Sequence, residues 1–141
     1  MREDLNALLD SLLPFAQQML NKSGEFFPFG AVVIVRGGLE MVGADTGTER
    51  PPSKEVMELL LGGFRCRARD ATIRASGMCY NAGISSPSGA KQDAIILDLE
   101  SREECARIAV PYAKKFLRGY QFGEIQRIAM DPAVFTSGRP T

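Results

Sequence analysis

The chain has 141 residues and a mass of 15.4 kDa, a length that suits one compact domain and leaves no room for a second full one. Its 17 Lys and Arg residues balance its 17 Asp and Glu residues, so we expect no electrostatic attraction to nucleic acid or to a membrane. The absence of histidine removes the usual general base of Ser and Cys hydrolases and the usual ligand of zinc and iron sites.

The first part of the chain predicts a helix followed by two strands. Apolar residues recur at helical spacing over residues 3–21, and Pro14 inside this segment removes a backbone hydrogen bond, so a kink or a division is expected there. The β-branched run at residues 31–35 and a shorter run at 39–42 predict two strands joined by a glycine turn. The first of these strands is apolar throughout and is expected to be covered on both faces.

A second helix is predicted over residues 54–74, with Ser53 as its N-terminal cap. Gly62 and Gly63 in its middle are each less favourable than alanine by about 1 kcal/mol, so we expect the helix to approach the sheet closely there. Four arginines spread over the remaining face: Arg65, Arg67, Arg69 and Arg74. We interpret them as a solvated face, with contact to an acidic protein or to phosphate as alternatives.

The second half of the chain predicts further strands at residues 75–84, 93–100, 106–112 and around 122–130. On the second of these, Ile95, Leu97 and Leu99 alternate with polar residues and are expected to face the core. The predicted class is therefore α+β, in the order α-β-β-α-β-β-β-β. Short turns favour a mainly antiparallel sheet of five to six strands, with both helices on one face. We expect a single domain over residues 1–135 and a disordered tail over residues 136–141.

Two carboxylates on one strand are the strongest candidates for acid–base chemistry. Asp98 and Glu100 share a strand face, and together with Glu124 they could form a cluster for proton transfer. Pairing with Arg107 and Lys114 across the sheet accounts for the same carboxylates without catalysis, and we prefer that interpretation.

Other candidate sites are weaker. Residues 85–92 imitate only the end of a phosphate-binding loop and lead into a strand, so a hairpin loop is the preferred interpretation. Cys66, Cys79 and Cys105 lack metal or redox spacing, and we expect them to be reduced and buried. A nucleophilic Cys79 or Cys105 is the remaining enzymatic alternative. We therefore expect no catalytic residue, no metal site and no cofactor.

Four segments carry a resemblance to known proteins: FFPFG at residues 26–30, DAIILDLE at 93–100, VPY at 110–112 and FGE at 122–124. They resemble a small family of uncharacterised bacterial proteins, and this resemblance implies no activity and no site residue. The order of helix, hairpin, helix and antiparallel strands is similar in layout to roadblock and profilin-like modules, which bind proteins and commonly form dimers. The final strand departs from the roadblock pattern, which more often ends in a helix.

The missing catalytic groups and the aromatic segment favour a non-enzymatic protein-interaction module that forms a homodimer and can bind another protein. The expected contact surfaces are an edge strand and a bare sheet face opposite the helices, where Tyr80, Tyr112 and Phe122 are expected. Further candidate contact residues are Phe26, Phe27, Phe29, Arg65 and Arg69.

The alternative function is binding of a small phosphate-containing or acidic metabolite. Arg74, Lys91 and the glycine-rich loops at residues 43–47 and 83–89 would form that site. The N-terminal segment lacks the apolar core of a signal peptide, and the cysteine use is typical of a reducing compartment, so a cytoplasmic location is expected.

Overall fold

The computed structural model describes residues 1–44, 46–47, 49–86 and 88–136. Within these residues the chain forms two helices and seven strands. They are α1 (Glu3–Ser23), β1 (Phe29–Ile34), β2 (Leu39–Val42), α2 (Ser53–Arg69), β3 (Ile73–Ser85), β4 (Lys91–Ser101), β5 (Cys105–Lys114), β6 (Tyr120–Phe122) and β7 (Gln126–Ile128). The predicted α+β class with an antiparallel sheet is confirmed. The predicted tail lies outside the described residues apart from Thr136.

The strands form one sheet in the order β2-β1-β3-β4-β5-β6, and β7 pairs with β5 on the same edge as β6. The last predicted strand, around residues 122–130, is therefore replaced by two short ones. Between them the Gly123 N–H donates to the Pro111 carbonyl oxygen at 2.7 Å. Pro111 has no N–H to offer in return, so the ladder between β5 and the returning chain is interrupted there.

The two helices lie on opposite faces of the sheet, so their predicted placement on one face is wrong. Ala31 and Val33 belong to the core under α1, whereas Val32 belongs to the core under α2. Alternate residues of a strand point to opposite faces, and an apolar strand covered on both sides requires one element on each. The sheet therefore has no face opposite both helices for a partner to cover.

The core under α1 is the larger of the two cores. Its helical side is the buried stripe Leu5, Leu8, Leu12, Ala16 and Leu20. Below it lie Ile95, Leu97 and Leu99, which face the core as predicted. α1 runs from Glu3 to Ser23 with the exposed Pro14 inside it, so the helix is not divided.

α2 is shorter than predicted and begins differently. Pro52 occupies the cap position, and Ser53 is the first helical residue with no side-chain capping bond. The helix ends at Arg69, so Arg74 lies on β3. α2 packs on β1 and β3 through Val56, Leu60, Phe64 and Ala68, which leaves much of β4 and β5 uncovered on this face.

Close approach of the helices occurs at strand glycines, not at Gly62 and Gly63 as predicted. A Cβ atom on either helical glycine would meet nothing within 4 Å. On Gly30 it would lie 2.7 Å from the Cζ atom of Phe64, and on Gly77 it would lie 2.7 Å from the Cδ1 atom of Leu12. Each helix thus contacts the sheet through a large side chain that occupies the space above a glycine.

Among the described residues, neither α1 nor α2 combines the length and apolar character that crossing a bilayer requires.

Candidate functional site

A recess of about 440 Å³ opens on the sheet face that carries α2. Its floor is the part of β3, β4 and β5 that the helix leaves uncovered, one wall is α2, and the opposite wall is the chain after β7. The apolar lining is Met57, Leu61, Phe64, Met78, Met130 and Val134, and the polar lining is Ser76, Tyr80, Asp98, Glu100, Arg107 and Asp131. This volume lies within the range of small-molecule pockets in proteins, which is about 300–1,000 Å³.

Three polar side chains from neighbouring strands form a hydrogen-bonded group at one end of the recess. The Arg107 guanidinium binds the Asp98 carboxylate in a bidentate manner, with 2.7 Å from Nε to Oδ1 and 3.1 Å from Nη2 to Oδ2. The Tyr80 hydroxyl donates to Asp98 Oδ2 at 3.0 Å. Asp98 and Arg107 are direct cross-strand partners in the register of β4 and β5, so the predicted pairing across the sheet is confirmed.

The protonation of this group follows from its surroundings. Burial, reinforced by the Asp98 carboxylate, raises the pKa of the Tyr80 phenol well above its ordinary value. The hydrogen bonds to Asp98 raise the pKa of Arg107. Tyr80 therefore stays protonated near neutral pH and is no general base.

Arg107 has donor capacity that the protein does not use. A guanidinium carries five N–H donors in a fixed fork, and only two of them are engaged by Asp98. The side chain is 39% exposed. In the part of the chain that the structure describes, the guanidinium contacts Asp98 and the Tyr80 hydroxyl and no further acceptor, so its remaining N–H groups can donate to an acceptor atom of a ligand.

The far wall of the recess is held by a buried carboxylate that sequence reasoning assigned to a different role. Glu100 accepts hydrogen bonds from the backbone N–H groups of Ala133, Val134 and Phe135, at 2.7, 2.9 and 2.6 Å. Arg65 adds a bond from Nε to the Ala133 carbonyl oxygen at 2.7 Å. Because the Glu100 oxygens are bound to backbone and Glu124 is exposed, the predicted carboxylate cluster for proton transfer does not form.

The charges around the recess do not favour an anion. Among the described residues that line the recess, Arg107 is the only cationic one, and it is outnumbered by the carboxylates of Asp98, Glu100 and Asp131. An anionic ligand would therefore meet net negative charge, whereas a neutral acceptor would meet the free Arg107 donors without that repulsion.

The predicted arginine face is dispersed by the fold. Arg65 binds the chain after β7, and Arg67 pairs with Glu40 at 3.3 Å. Arg74, on β3, pairs with Asp4 in the first turn of α1 at 2.9 Å. Arg69 is exposed at the end of α2. These arginines tie separate elements together and do not form one phosphate-binding surface.

The predicted aromatic contact residues lie mainly in the α1 core. Phe29 is buried and meets the ring of Phe26 at 6.0 Å between centroids, while Phe27 is partly exposed. Tyr112 and Phe122 pack together under α1, at 6.3 Å between centroids.

The prediction that Tyr80, Tyr112 and Phe122 share a bare face is therefore wrong. Tyr80 points to the α2 face, and the other two rings are covered on the α1 side. The Tyr112 hydroxyl donates to Asn81 Oδ1 at 2.8 Å, and burial raises the pKa of Tyr112.

The residues of the predicted acidic-metabolite site are far apart. Arg74 lies near the start of β3, and Lys91 pairs with Ser85 at the other end of the same hairpin. Eleven residues of extended chain separate the two ends, a span of about 36 Å at roughly 3.3 Å per residue. The glycine loops predicted beside them each contain a residue outside the described part of the chain.

The cysteines offer no exposed activated thiol beside the recess. Cys79 is buried in the α1 core, where burial raises the pKa of its thiol. Cys105 donates to the Met130 carbonyl oxygen at 3.2 Å. Cys66 is exposed, contrary to prediction, because it lies on the outer side of α2. Among the described residues, no three Cys, Asp or Glu side chains come together as metal ligands.

The chain matches no protein-family model, no curated protein and no solved structure. The resemblances stated from the sequence therefore stay predictions.

Of the ten contact residues named from the sequence, Tyr80 alone lines the recess. The methionines and Arg107 were missed as ligand contacts. One available signal was that Met57 and Leu61 lie one helical turn apart beside the predicted buried stripe of α2.

Proposed function

We propose that the protein is a non-enzymatic binding module, and that the recess on its α2 face holds a compact neutral molecule. The expected ligand has an apolar body and a hydrogen-bond acceptor such as a ketone or amide oxygen. The single observation that carries this proposal is the unused Arg107 N–H group at the edge of a recess lined with methionine.

The methionine side chains that line the recess suit a ligand of variable shape. Met57, Met78 and Met130 approach it from α2, β3 and the chain after β7. Methionine side chains are flexible and polarisable, so they adapt to an irregular apolar surface better than branched side chains do.

The carboxylates in the lining select against acidic ligands. Asp98, Glu100 and Asp131 repel a carboxylate or phosphate, and Asp98 already neutralises Arg107. We therefore expect a neutral ligand and not the acidic metabolite predicted as the alternative from the sequence, because a neutral acceptor uses the Arg107 donors without opposing the carboxylates.

Native mass spectrometry of the protein purified gently from its own host tests this proposal. We expect a retained mass of a few hundred daltons or less on the wild-type protein. Met57→Trp, which fills the recess from α2, should abolish that mass. Leu59→Trp places the same ring on an exposed position of the same helix and should keep it.

The proposal fails if the wild-type protein carries no added mass and also binds no member of a library of small neutral carbonyl compounds. It fails equally if Met57→Trp and Leu59→Trp retain the same ligand to the same extent. Circular dichroism of both variants establishes that they are folded before binding is compared.

A second candidate is the homodimer proposed from the sequence, which would form through β2. This strand pairs with β1 on one side, and within the described residues no strand pairs with its other edge. Met41 on β2 is 44% exposed. The edge is only four residues long and carries the charged Glu40, so a dimer through it would be weak.

Light scattering from low to high micromolar concentration tests the homodimer. A concentration-dependent rise in mass that Met41→Lys abolishes would support it, because a lysine on this edge discourages strand addition. A monomeric mass over the whole range would contradict it.

We also propose a cytoplasmic location. Cys66 and Cys79 are free thiols, and free thiols persist most readily in a reducing compartment.

A further inference from the structure

The turn between β5 and β6 presents two large apolar side chains directly to water. Phe116 is 99% exposed and Leu117 is 88% exposed, the two highest values among the exposed large hydrophobic residues. The turn is closed by the Lys115 N–H, which donates to the Gly119 carbonyl oxygen at 3.0 Å, and Gly119 has a φ of +83°. The backbone shape of this turn therefore does not depend on the side chains at its tip.

Three exposed cations flank these apolar side chains in the sequence. Lys114, Lys115 and Arg118 are exposed on the same turn, and the sequence from residue 105 to residue 123 contains no Asp or Glu. In the described part of the chain, none of the three forms an ion pair. The net charge of the chain is zero, but positive charge is concentrated on the turn between β5 and β6.

Two exposed apolar side chains with flanking cations are suited to bind the surface of an anionic lipid bilayer. In an anionic bilayer, apolar side chains enter the boundary between headgroups and acyl chains while Lys and Arg meet the lipid phosphates. A stable protein interface buries about 800 Å² on each partner, far more than the two side chains of a convex tip can supply. A bilayer needs no matching cavity to receive such a tip.

We propose that residues 114–118 form a tip that attaches the protein reversibly to an anionic lipid surface. Phe116 and Leu117 insert, and Lys114, Lys115 and Arg118 pair with headgroup phosphates. Each cation near an anionic membrane strengthens binding by about fivefold. The contributions of the three cations to the binding free energy therefore add, and salt weakens each of them. The net charge of zero predicts no membrane partner because it sums over the whole chain, whereas these three cations lie together on one turn.

Vesicle co-sedimentation with the full chain tests the tip. The probes are phosphatidylcholine vesicles and vesicles that also contain roughly 30% phosphatidylserine, a fraction that gives a strongly negative surface. We expect binding to the anionic vesicles only, with loss at high salt. Phe116→Ser/Leu117→Ser should weaken binding by more than about tenfold. Lys114→Gln/Lys115→Gln should weaken it by about 25-fold, two factors of about five.

Two matched variants keep the test specific. Leu59→Ser removes an exposed apolar side chain elsewhere, and Arg36→Gln/Arg69→Gln removes two exposed cations at the opposite end of the sheet. Both should bind like the wild type. Because Phe116 and Leu117 are almost fully exposed, the tip variants should unfold at the wild-type denaturant concentration.

The proposal is overturned by any of three results: equal binding to neutral and anionic vesicles, or to neither; tip variants that bind as well as the wild type; or a control arginine variant that loses as much binding as the tip lysine variant. An acidic protein that captures the tip while anionic vesicles do not would also overturn it.

Discussion

Replacing Glu100 by alanine removes the carboxylate that holds one wall of the recess in place. Glu100 is 2% exposed and lies on β4, and its oxygens accept from the N–H groups of three consecutive residues, Ala133, Val134 and Phe135. The buried side chains of Val134 and Phe135 then pack against the core under α2. Loss of the carboxylate should therefore release this wall as a unit.

The size of the effect follows from these three bonds. A hydrogen bond to a charged group contributes about 1.5–3 kcal/mol, and three of them would sum to several kcal/mol. A detached segment regains water for its N–H groups, so the free energy of unfolding should fall by less than that sum. We expect a loss of about 3 kcal/mol for Glu100→Ala, close to the cost of removing one partner from a buried charged contact. Glu100→Gln keeps one accepting oxygen and should lose about half as much.

Urea unfolding followed by circular dichroism measures the loss, and hydrogen exchange at residues 133–135 locates it. Glu124→Ala, which removes an exposed carboxylate, is the control and should change stability by less than about 0.5 kcal/mol. A loss below about 1 kcal/mol for Glu100→Ala, with unchanged protection of residues 133–135, would refute the reasoning.

Four further predictions test the packing and the polar group of the recess. Gly30→Ala should lower the free energy of unfolding by about 2–3 kcal/mol in urea titrations, because its Cβ would lie 2.7 Å from the Phe64 ring. Gly62→Ala should raise it by up to about 1 kcal/mol, because its Cβ meets nothing within 4 Å and alanine favours the helix; a loss there would contradict the described packing. Burial raises the pKa of Tyr80, so the unfolded chain loses its phenolic proton first as the pH rises. Stability should therefore fall above about pH 10, and Tyr80→Phe should reduce that fall; an equal fall in both proteins would be inconsistent with the buried phenol. Asp98→Asn should lower the pKa of Tyr80 in a spectrophotometric titration while leaving it above the ordinary value, because burial is the larger cause.

The strands were predictable because their signals are local. Alternation at Ile95, Leu97 and Leu99 and the Gly37-Gly38 turn each depend on a few neighbouring residues, and both were assigned correctly. The apolar run in β1 even indicated cover on both faces. The helices were nevertheless placed on one face, because helical periodicity shows that a helix buries one side and not which face of a sheet receives it.

The recess was largely beyond prediction because it depends on contacts between distant segments. Glu100 binds backbone groups 33–35 residues away, and no side-chain pattern marks a residue whose partners are backbone N–H groups. The pairing of Asp98 with Arg107 was predictable, because antiparallel strands joined by a short turn fix their register. The position of this pair at the edge of a recess was not predictable, because it depends on how much of the sheet α2 covers.

The methyl groups of methionine provide the most direct test of the proposed binding site. Of the six methionines in the chain, Met57, Met78 and Met130 line the recess, and Met1, Met19 and Met41 lie outside it. In protein labelled with carbon-13 at these methyl groups, titration with small neutral carbonyl compounds should shift the first three NMR signals and leave the other three in place. Shifts at the outside methionines alone, or no shift with any compound, would contradict the account.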